Sequence, residues 1–424
     1  MARFRPLRGI RYSPSRVGAL DNVVAPPYDV ITPAQRDAFY EASPFNCTRL
    51  ILNKDGHDEA ARQYRTWVDE GVLVRDNAPA FYLYSQDFDA AGRRCRRIGV
   101  LGALALEPYS TGVVLRHENT FAHHKRDRLE LTKRVKANLS PIFCVYSKPG
   151  FVPEPDGGWD SKPDVDVMLQ DVRHRVWAVR SQSGIETIRA AVADQALFIA
   201  DGHHRYETAL NYYYECVSNG AEPPAGNDAP DDDHAPAAHV LAFLATFEDP
   251  GLVILPTHRE LISSGGADPV ALERSLAESF RIQHFASDDA GTEALLATMA
   301  AAGNDTHAFA IAVRGLPHLM LATRPVRHDP SSSLSELDVT VLHEDILGRA
   351  LPAAGGKEIQ LAYSIDPRAV IARVRAGELE GAFVMNATRA EQMANVCRAG
   401  ELMPQKSTYF YPKVLTGLVF HALE

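Results

Sequence analysis

Paired cysteines are the first thing this chain lacks. Its five cysteines, Cys47, Cys95, Cys144, Cys216 and Cys397, are scattered, odd in number, and nowhere form a CxxC. That excludes a cysteine-zinc knuckle, offers no disulfide framework, and fits reduced thiols in a cytosol. A buried inert thiol is the stronger reading for each of them. Long apolar runs are missing too. The longest, Ile98 to Leu106, falls far short of the ~20 residues that span a bilayer, so no membrane partner is expected. The N-terminus, MARFRPLRGIRYSPSRVG, is basic without an apolar segment behind it and does not read as a signal peptide. Nor is there a basic balance: 44 Lys and Arg stand against 54 Asp and Glu, net −10, which argues against nucleic acid as partner.

Several catalytic signatures are absent as well. There is no GxGxxG at a strand-to-helix junction and no GxSxG elbow, so classical dinucleotide binding and α/β-hydrolase chemistry lack their signals. Gly356-Lys357 is followed by Glu358 and lacks the earlier glycine of a Walker loop. His117-Glu118 opens like the zincin HExxH, but Phe121 stands where the second histidine must be.

What is present is a globular chain of 424 residues, 46% hydrophobic, long enough for two cores. Strand-like runs at Phe81–Asp87, Arg97–Leu106, Val176–Val179 and His239–Phe247 alternate with helical spacing at Glu59–Glu70 and Ile185–Ala193. Beyond residue 251, helices are expected at Asp268–Ser279, Gly291–Ala301, Leu334–Gly348, Pro367–Ala376 and Arg389–Cys397. Strands are expected at Ala308–Val313, His318–Ala322, Ile359–Tyr363 and Gly381–Met385. The class is mixed α/β (α+β): an N-terminal domain over 1–250 and a smaller α/β domain over 251–424. Residues 218–238, rich in Gly, Ala, Pro and Asp, read as an exposed acidic loop. Asp231-Asp232-Asp233 within it lacks the spacing of a calcium loop.

Three segments carry chemistry. In the first, the strand-like run Ala196–Ala200 breaks into Asp201-Gly202-His203-His204-Arg205, and Tyr206, Ala209, Leu210 and Tyr213 follow at helical spacing. A helix N-terminus there presents unpaired N–H groups and partial positive charge, suited to phosphate. Gly202 permits close backbone approach, Arg205 adds a forked cation, and Asp201 could orient a metal or accept a proton. The plainer alternative is an Asp-Gly turn with Asp201 as a helix cap. The second segment, Arg116 to Lys136, holds seven Lys or Arg against three acids in a net-acidic chain. Glu118 is its candidate general base or magnesium carboxylate. Arg116, His117, Lys125 and Arg128 are candidate phosphate ligands, with His123 and His124 close by; a solvated, ion-paired helix face is the alternative. The third, MPQKSTYFYPK from Met403 to Lys413, is kept from forming a helix by two prolines. It places Lys406, Ser407, Thr408 and Lys413 on one extended loop, whose aromatic residues could equally cover a core edge.

RFRPLRGIRY, VVAPPYDVI, RHENT, NLSPIF, FIADGHHRYETAL, LPTHR and MPQKSTYFYPKVLTGLV together resemble a conserved bacterial and archaeal family known as a domain of unknown function, from Phe4 to Val419. More remotely, DGHHRYETAL is similar to the Gly-x-x-Arg phosphate motif of ParB-type partition proteins, sulfiredoxins and archaeal free-serine kinases. That resemblance implies a strand–turn–helix that binds nucleotide phosphates through Gly202, His203, His204 and Arg205, with Asp201 and His204 near the transferred group. It also implies a separate catalytic glutamate, for which Glu118 is the candidate, and Mg2+ with ATP or ADP. The expected activity is phosphoryl transfer to a small hydroxylated metabolite, free serine first, with 403–413 returning to the site. A phosphatase of a small phosphometabolite, its histidines holding a divalent metal, and a non-catalytic nucleotide-binding module are the alternatives.

Overall fold

The computed structural model describes residues 1–90, 92–120, 122–218, 235–303, 306–351 and 359–424, without the side chains of residues 122–124 and 218. Most of the acidic loop expected at 218–238, including Asp231–Asp233, lies outside the described residues. The chain divides into two compact units. One comprises Met1–Arg116, Thr120–Val253 and Phe410–Glu424, the other His117–Asn119 and Ile254–Tyr409. Among the described residues, no helix is long and apolar enough to cross a membrane.

The first unit is built on a nine-stranded mixed sheet. Its strands are β1 (Phe4–Arg5), β2 (Phe81–Ala90), β3 (Arg93–Ala105), β4 (Val114–Leu115), β5 (Ile142–Tyr146), β6 (Val165–Leu169), β7 (Val172–Val179), β8 (Leu197–Asp201) and β9 (His239–Thr246). The order is β4-β8-β5-β9-β3-β2-β7-β6, with β1 alongside β3. β5, β9 and the C-terminal half of β3 are buried on both faces, which is why they read as continuous apolar runs. Helices α1 (His57–Asp69), α2 (Ala122–Val135), α3 (Gln182–Val192) and α4 (His203–Ser218) pack in the same unit. α1 buries Ala60, Ala61, Tyr64 and Trp67, one face of a 3.6-residue repeat. α4 sets Tyr206, Ala209, Leu210 and Tyr213 into a core with Cys144 of β5, Ile199 of β8 and Ala242 of β9.

The second unit carries a six-stranded sheet of β10 (His258–Ser263), β11 (Arg281–Ala286), β12 (Thr306–Val313), β13 (His318–Pro325), β14 (Gln360–Ser364) and β15 (Gly381–Met385). Its order is β11-β13-β12-β15-β10-β14, every pairing antiparallel. Helices α5 (Pro269–Ala277), α6 (Asp289–Ala302), α7 (Pro367–Arg375) and α8 (Ala390–Arg398) complete it. Proline follows an Asp N-cap in both α5 and α7, so these starts are legible in the sequence.

Two differences from expectation have local causes. The helix expected over Leu334–Gly348 is interrupted: Leu337 is buried in extended backbone (φ −94°, ψ 126°), between a 3-10 turn and a helix that widens to π geometry over Leu342–Ala350. β11 was not expected because RIQHFA is exposed or half-exposed throughout, an edge strand without an apolar face for periodicity to reveal.

Candidate functional site

β8 ends in a bulge. Ile199 faces Cys144 while Asp201 faces Phe143, so the ladder slips by one residue just before Gly202. Gly202 then turns the chain with φ +93°, and α4 begins at His203. Tyr206 anchors the helix: its hydroxyl donates to the Glu107 carbonyl at 2.7 Å and accepts from the Glu107 N–H at 3.1 Å. The strand–turn–helix expected at DGHHR is therefore present.

Asp201 is the electrostatic centre of this junction. Lys413 Nζ donates to Asp201 Oδ1 at 2.5 Å, and Arg205 Nη2 donates to Asp201 Oδ2. Arg205 Nη1 donates to the Pro141 carbonyl. Burial pushes the Asp201 carboxyl upward, but Lys413 and then Arg205 outweigh it and hold the group well below the usual carboxylate range. Asp201 is thus an ionised acceptor at neutral pH, with each oxygen already paired. It positions two cations and does not donate protons.

A Cβ added to Gly202 would lie 3.1 Å from the Arg205 guanidinium, in a backbone region that L side chains rarely adopt. Gly202→Ala is therefore expected to cost roughly 1–3 kcal/mol of stability and to displace Arg205 from Asp201. Urea denaturation checks the first effect.

One turn further on stands a residue that the motif reading did not select. Glu207 accepts from Arg116 Nη1 at 3.0 Å, from the Thr120 hydroxyl at 2.6 Å and from Lys125 Nζ at 2.8 Å. Burial would raise its pKa, but Lys125, Thr120 and Arg116 lower it on balance. Arg116 and Lys125, expected as phosphate ligands, are here held by this carboxylate. The YET within DGHHRYETAL was the available signal. It read as part of the helix because nothing local shows which cations a distant loop will deliver.

A cavity in this unit is lined by Tyr28, Arg128, Ser140, Arg205 and Thr208, among others. The Arg128 guanidinium lies 4.5 Å from the Tyr28 ring centroid. Thr208 is only 3% exposed, and its hydroxyl has no hydrogen-bond partner among the described residues. Two guanidinium groups and an unsatisfied buried hydroxyl at one cavity are what an anionic oxygen ligand would use.

In the second unit, His117–Asn119 of RHENT meet MPQKST. The His117 carbonyl accepts from Met403 N–H at 2.8 Å, and His117 Nε2 lies 3.0 Å from the Thr408 hydroxyl. Glu118 Oε1 accepts from Ser407 N–H at 3.3 Å. Ser407 is buried and its own hydroxyl donates to the Pro404 carbonyl, so it faces away from solvent. Lys406 is exposed, with φ +56°. Beneath this turn sits Arg259 of LPTHR, fully buried. It donates to the carbonyls of Gln405 at 3.0 Å, Lys406 at 3.1 Å and Thr257, and lies 3.0 Å from His343 Nε2. Burial pushes its pKa down to about 10, leaving it charged at neutral pH. Burial, and then Arg259 itself, push His343 down to about 4, so a neutral imidazole faces the guanidinium. Arg259 and His343 are further residues that the motif reading did not assign to a site.

The structure thus brings Asp201, Gly202, Arg205 and Lys413 together in the first unit, and His117, Glu118, Ser407 and Thr408 together in the second. His203 is buried and His204 half-buried at the start of α4. The side chains of His123 and His124 lie outside the described residues.

The chain belongs to the DUF1015 family of proteins of unknown function, whose family model matches residues 4–340. No curated protein matches it. Among solved structures it is similar to a conserved hypothetical protein from Pyrococcus furiosus, at 16% identity and TM-score 0.36, covering 74% of this chain and 92% of that one. It is also similar to a free serine kinase in complex with AMP (14%, TM-score 0.36, 73% and 86%). A third is SbnI with C-terminal truncation from Staphylococcus aureus (8%, TM-score 0.32, 75% and 86%).

Proposed function

We propose that this protein is a nucleotide-dependent phosphotransferase acting on a small hydroxylated metabolite, free serine being the first to test. The observation that carries the reading is the pairing of Arg205 and Lys413 on Asp201 at a glycine turn opening a helix. Two cations held beside helix N–H groups are what a transferring phosphoryl group needs, because such chemistry is mostly positioning and charge neutralisation. The small cavity beside Arg205, lined also by Arg128, Tyr28 and Thr208, adds a second guanidinium and a buried hydroxyl that an anionic oxygen could use. Magnesium enters this reading as part of the nucleotide complex, ATP or ADP, and no step is routed through a protein-held ion. Arriving phosphate would draw Arg205 and Lys413 from Asp201, whose charge keeps them poised. His203 and His204 open the helix that receives it.

Turnover of ATP or ADP with magnesium is expected only when serine or another small alcohol is added. Arg205→Ala should weaken nucleotide binding by more than ~1.5 kcal/mol, roughly tenfold, as a lost charge-assisted contact does. Titration calorimetry and coupled turnover assays read these separately. Release of phosphate from phosphoserine without nucleotide would replace the reading with a phosphatase. Nucleotide binding with no turnover on any alcohol would leave a binding module.

A further inference from the structure

Glu273, His284 and His318, in the second unit, present their ligand atoms within 4.8 Å of one another. No sequence motif links them; β-sheet register does. His284 on β11 faces Met320 of β13, and Ala286 faces His318, so the two histidines stand diagonally on one face of the ladder. Helix α5 lays Glu273 over them. Glu273 Oε1 lies 2.7 Å from His284 Nε2, and Glu273 Oε2 lies 3.3 Å from His318 Nε2. The two imidazole centroids are 4.0 Å apart.

A surface ion pair explains one histidine on this carboxylate. It does not explain the second. His318 Nε2 is buried and has no hydrogen-bond partner among the described residues, although it approaches Glu273. A nitrogen aimed at a carboxylate without donating to it is arranged as a lone pair sharing a cation with that carboxylate. We propose that Glu273, His284 and His318 bind a borderline transition-metal cation, Zn2+ first, with the remaining coordination position open to water.

Two imidazoles and one carboxylate form a ligand set that zinc accepts readily and that magnesium and calcium, which prefer all-oxygen shells, do not. Tetrahedral zinc with bonds of about 2.0–2.1 Å separates its ligand atoms by roughly 3.3 Å. The His318–Glu273 distance of 3.3 Å already matches. His284 must draw back by about half an ångström to reach that spacing, and its side chain, 52% exposed, is free to do so. β11 is an edge strand with exposed residues along its length, so an ion here would clip α5 to the open side of the sheet.

The test is zinc binding by the 424-residue chain, followed by calorimetry and by the visible spectrum of Co2+ used as a tetrahedral probe. One equivalent should bind, a tetrahedral cobalt spectrum should appear, and thermal stability should rise with free zinc by mass action. His284→Ala, His318→Gln and Glu273→Gln should each weaken binding by more than the roughly tenfold that losing even an outer-shell partner costs. His284 is exposed enough that its variant tests the site without risk to folding. Absence of zinc binding, or binding unchanged in all three variants, would overturn the proposal. So would binding lost in His204→Ala but retained in these three, which would place the ion at the other histidines.

Discussion

Replacing Asp201 by asparagine is expected to destabilise the protein by about 3 kcal/mol, the lower end of the range for removing one partner of a buried charge pair. Asparagine keeps the shape and one acceptor but removes the carboxylate charge that Arg205 and Lys413, 11% and 12% exposed, share. Lys413→Met should cost less, because Arg205 still neutralises the carboxylate. The double variant Asp201→Asn/Lys413→Met should recover part of the loss, since one of the two like charges facing the asparagine is gone. Urea unfolding of the four proteins gives the coupling directly; a single-variant loss below ~1 kcal/mol would mean that the cluster is effectively solvated. The pH dependence has a definite sign. Asp201 has a native pKa held below its unfolded value of about 3.9. Its contribution is therefore fully present above that value and is lost as pH falls through the native one.

The second large effect concerns Arg97, which touches no expected ligand. Its guanidinium is fully buried, 4.8 Å from the Phe143 ring centroid and 5.7 Å from that of Phe243. Nε donates to Gln86 Oε1 at 3.0 Å, Nη1 to the Tyr411 carbonyl at 3.3 Å, and Nη2 to the Pro412 carbonyl. Gln86 in turn donates to the Lys413 carbonyl at 3.0 Å. The segment that carries Lys413 to Asp201 is held in place by this fork. Arg97→Ala would leave a cavity and three acceptors unsatisfied, and is expected to cost about 3–5 kcal/mol. Arg97→Lys keeps the charge without the fork and should fall between. Under the proposed function, Arg97→Lys should also weaken nucleotide binding through Lys413, a positioning effect. Calorimetry on a folded Arg97→Lys protein, beside Lys413→Met, would show whether the two share one loss.

Local features of the sequence determined the local features of the protein. The apolar run before Asp201, the glycine after it and the spacing of Tyr206, Ala209, Leu210 and Tyr213 gave a strand, a turn and a helix, all of which form. Asp-Pro starts marked α5 and α7, and Gly381–Met385 is a strand at its expected limits. These need only backbone preference and burial of one face, which neighbouring residues specify. The break at Leu337 and the polar edge strand β11 were not legible, because tertiary burial decided the one and sheet pairing the other.

Charge pairing belongs wholly to the tertiary structure. Lys413 meets Asp201 across 212 residues, and Ser407 meets Glu118 across 289. Lys125 meets Glu207 where a free phosphate ligand was expected. Glu273, His284 and His318 converge through strand register and helix placement. A cation's sequence neighbourhood shows that it is charged, but the carboxylate that it faces is chosen by topology. The sequence determined which residues could do chemistry, and only the folded chain decided which of them stand together.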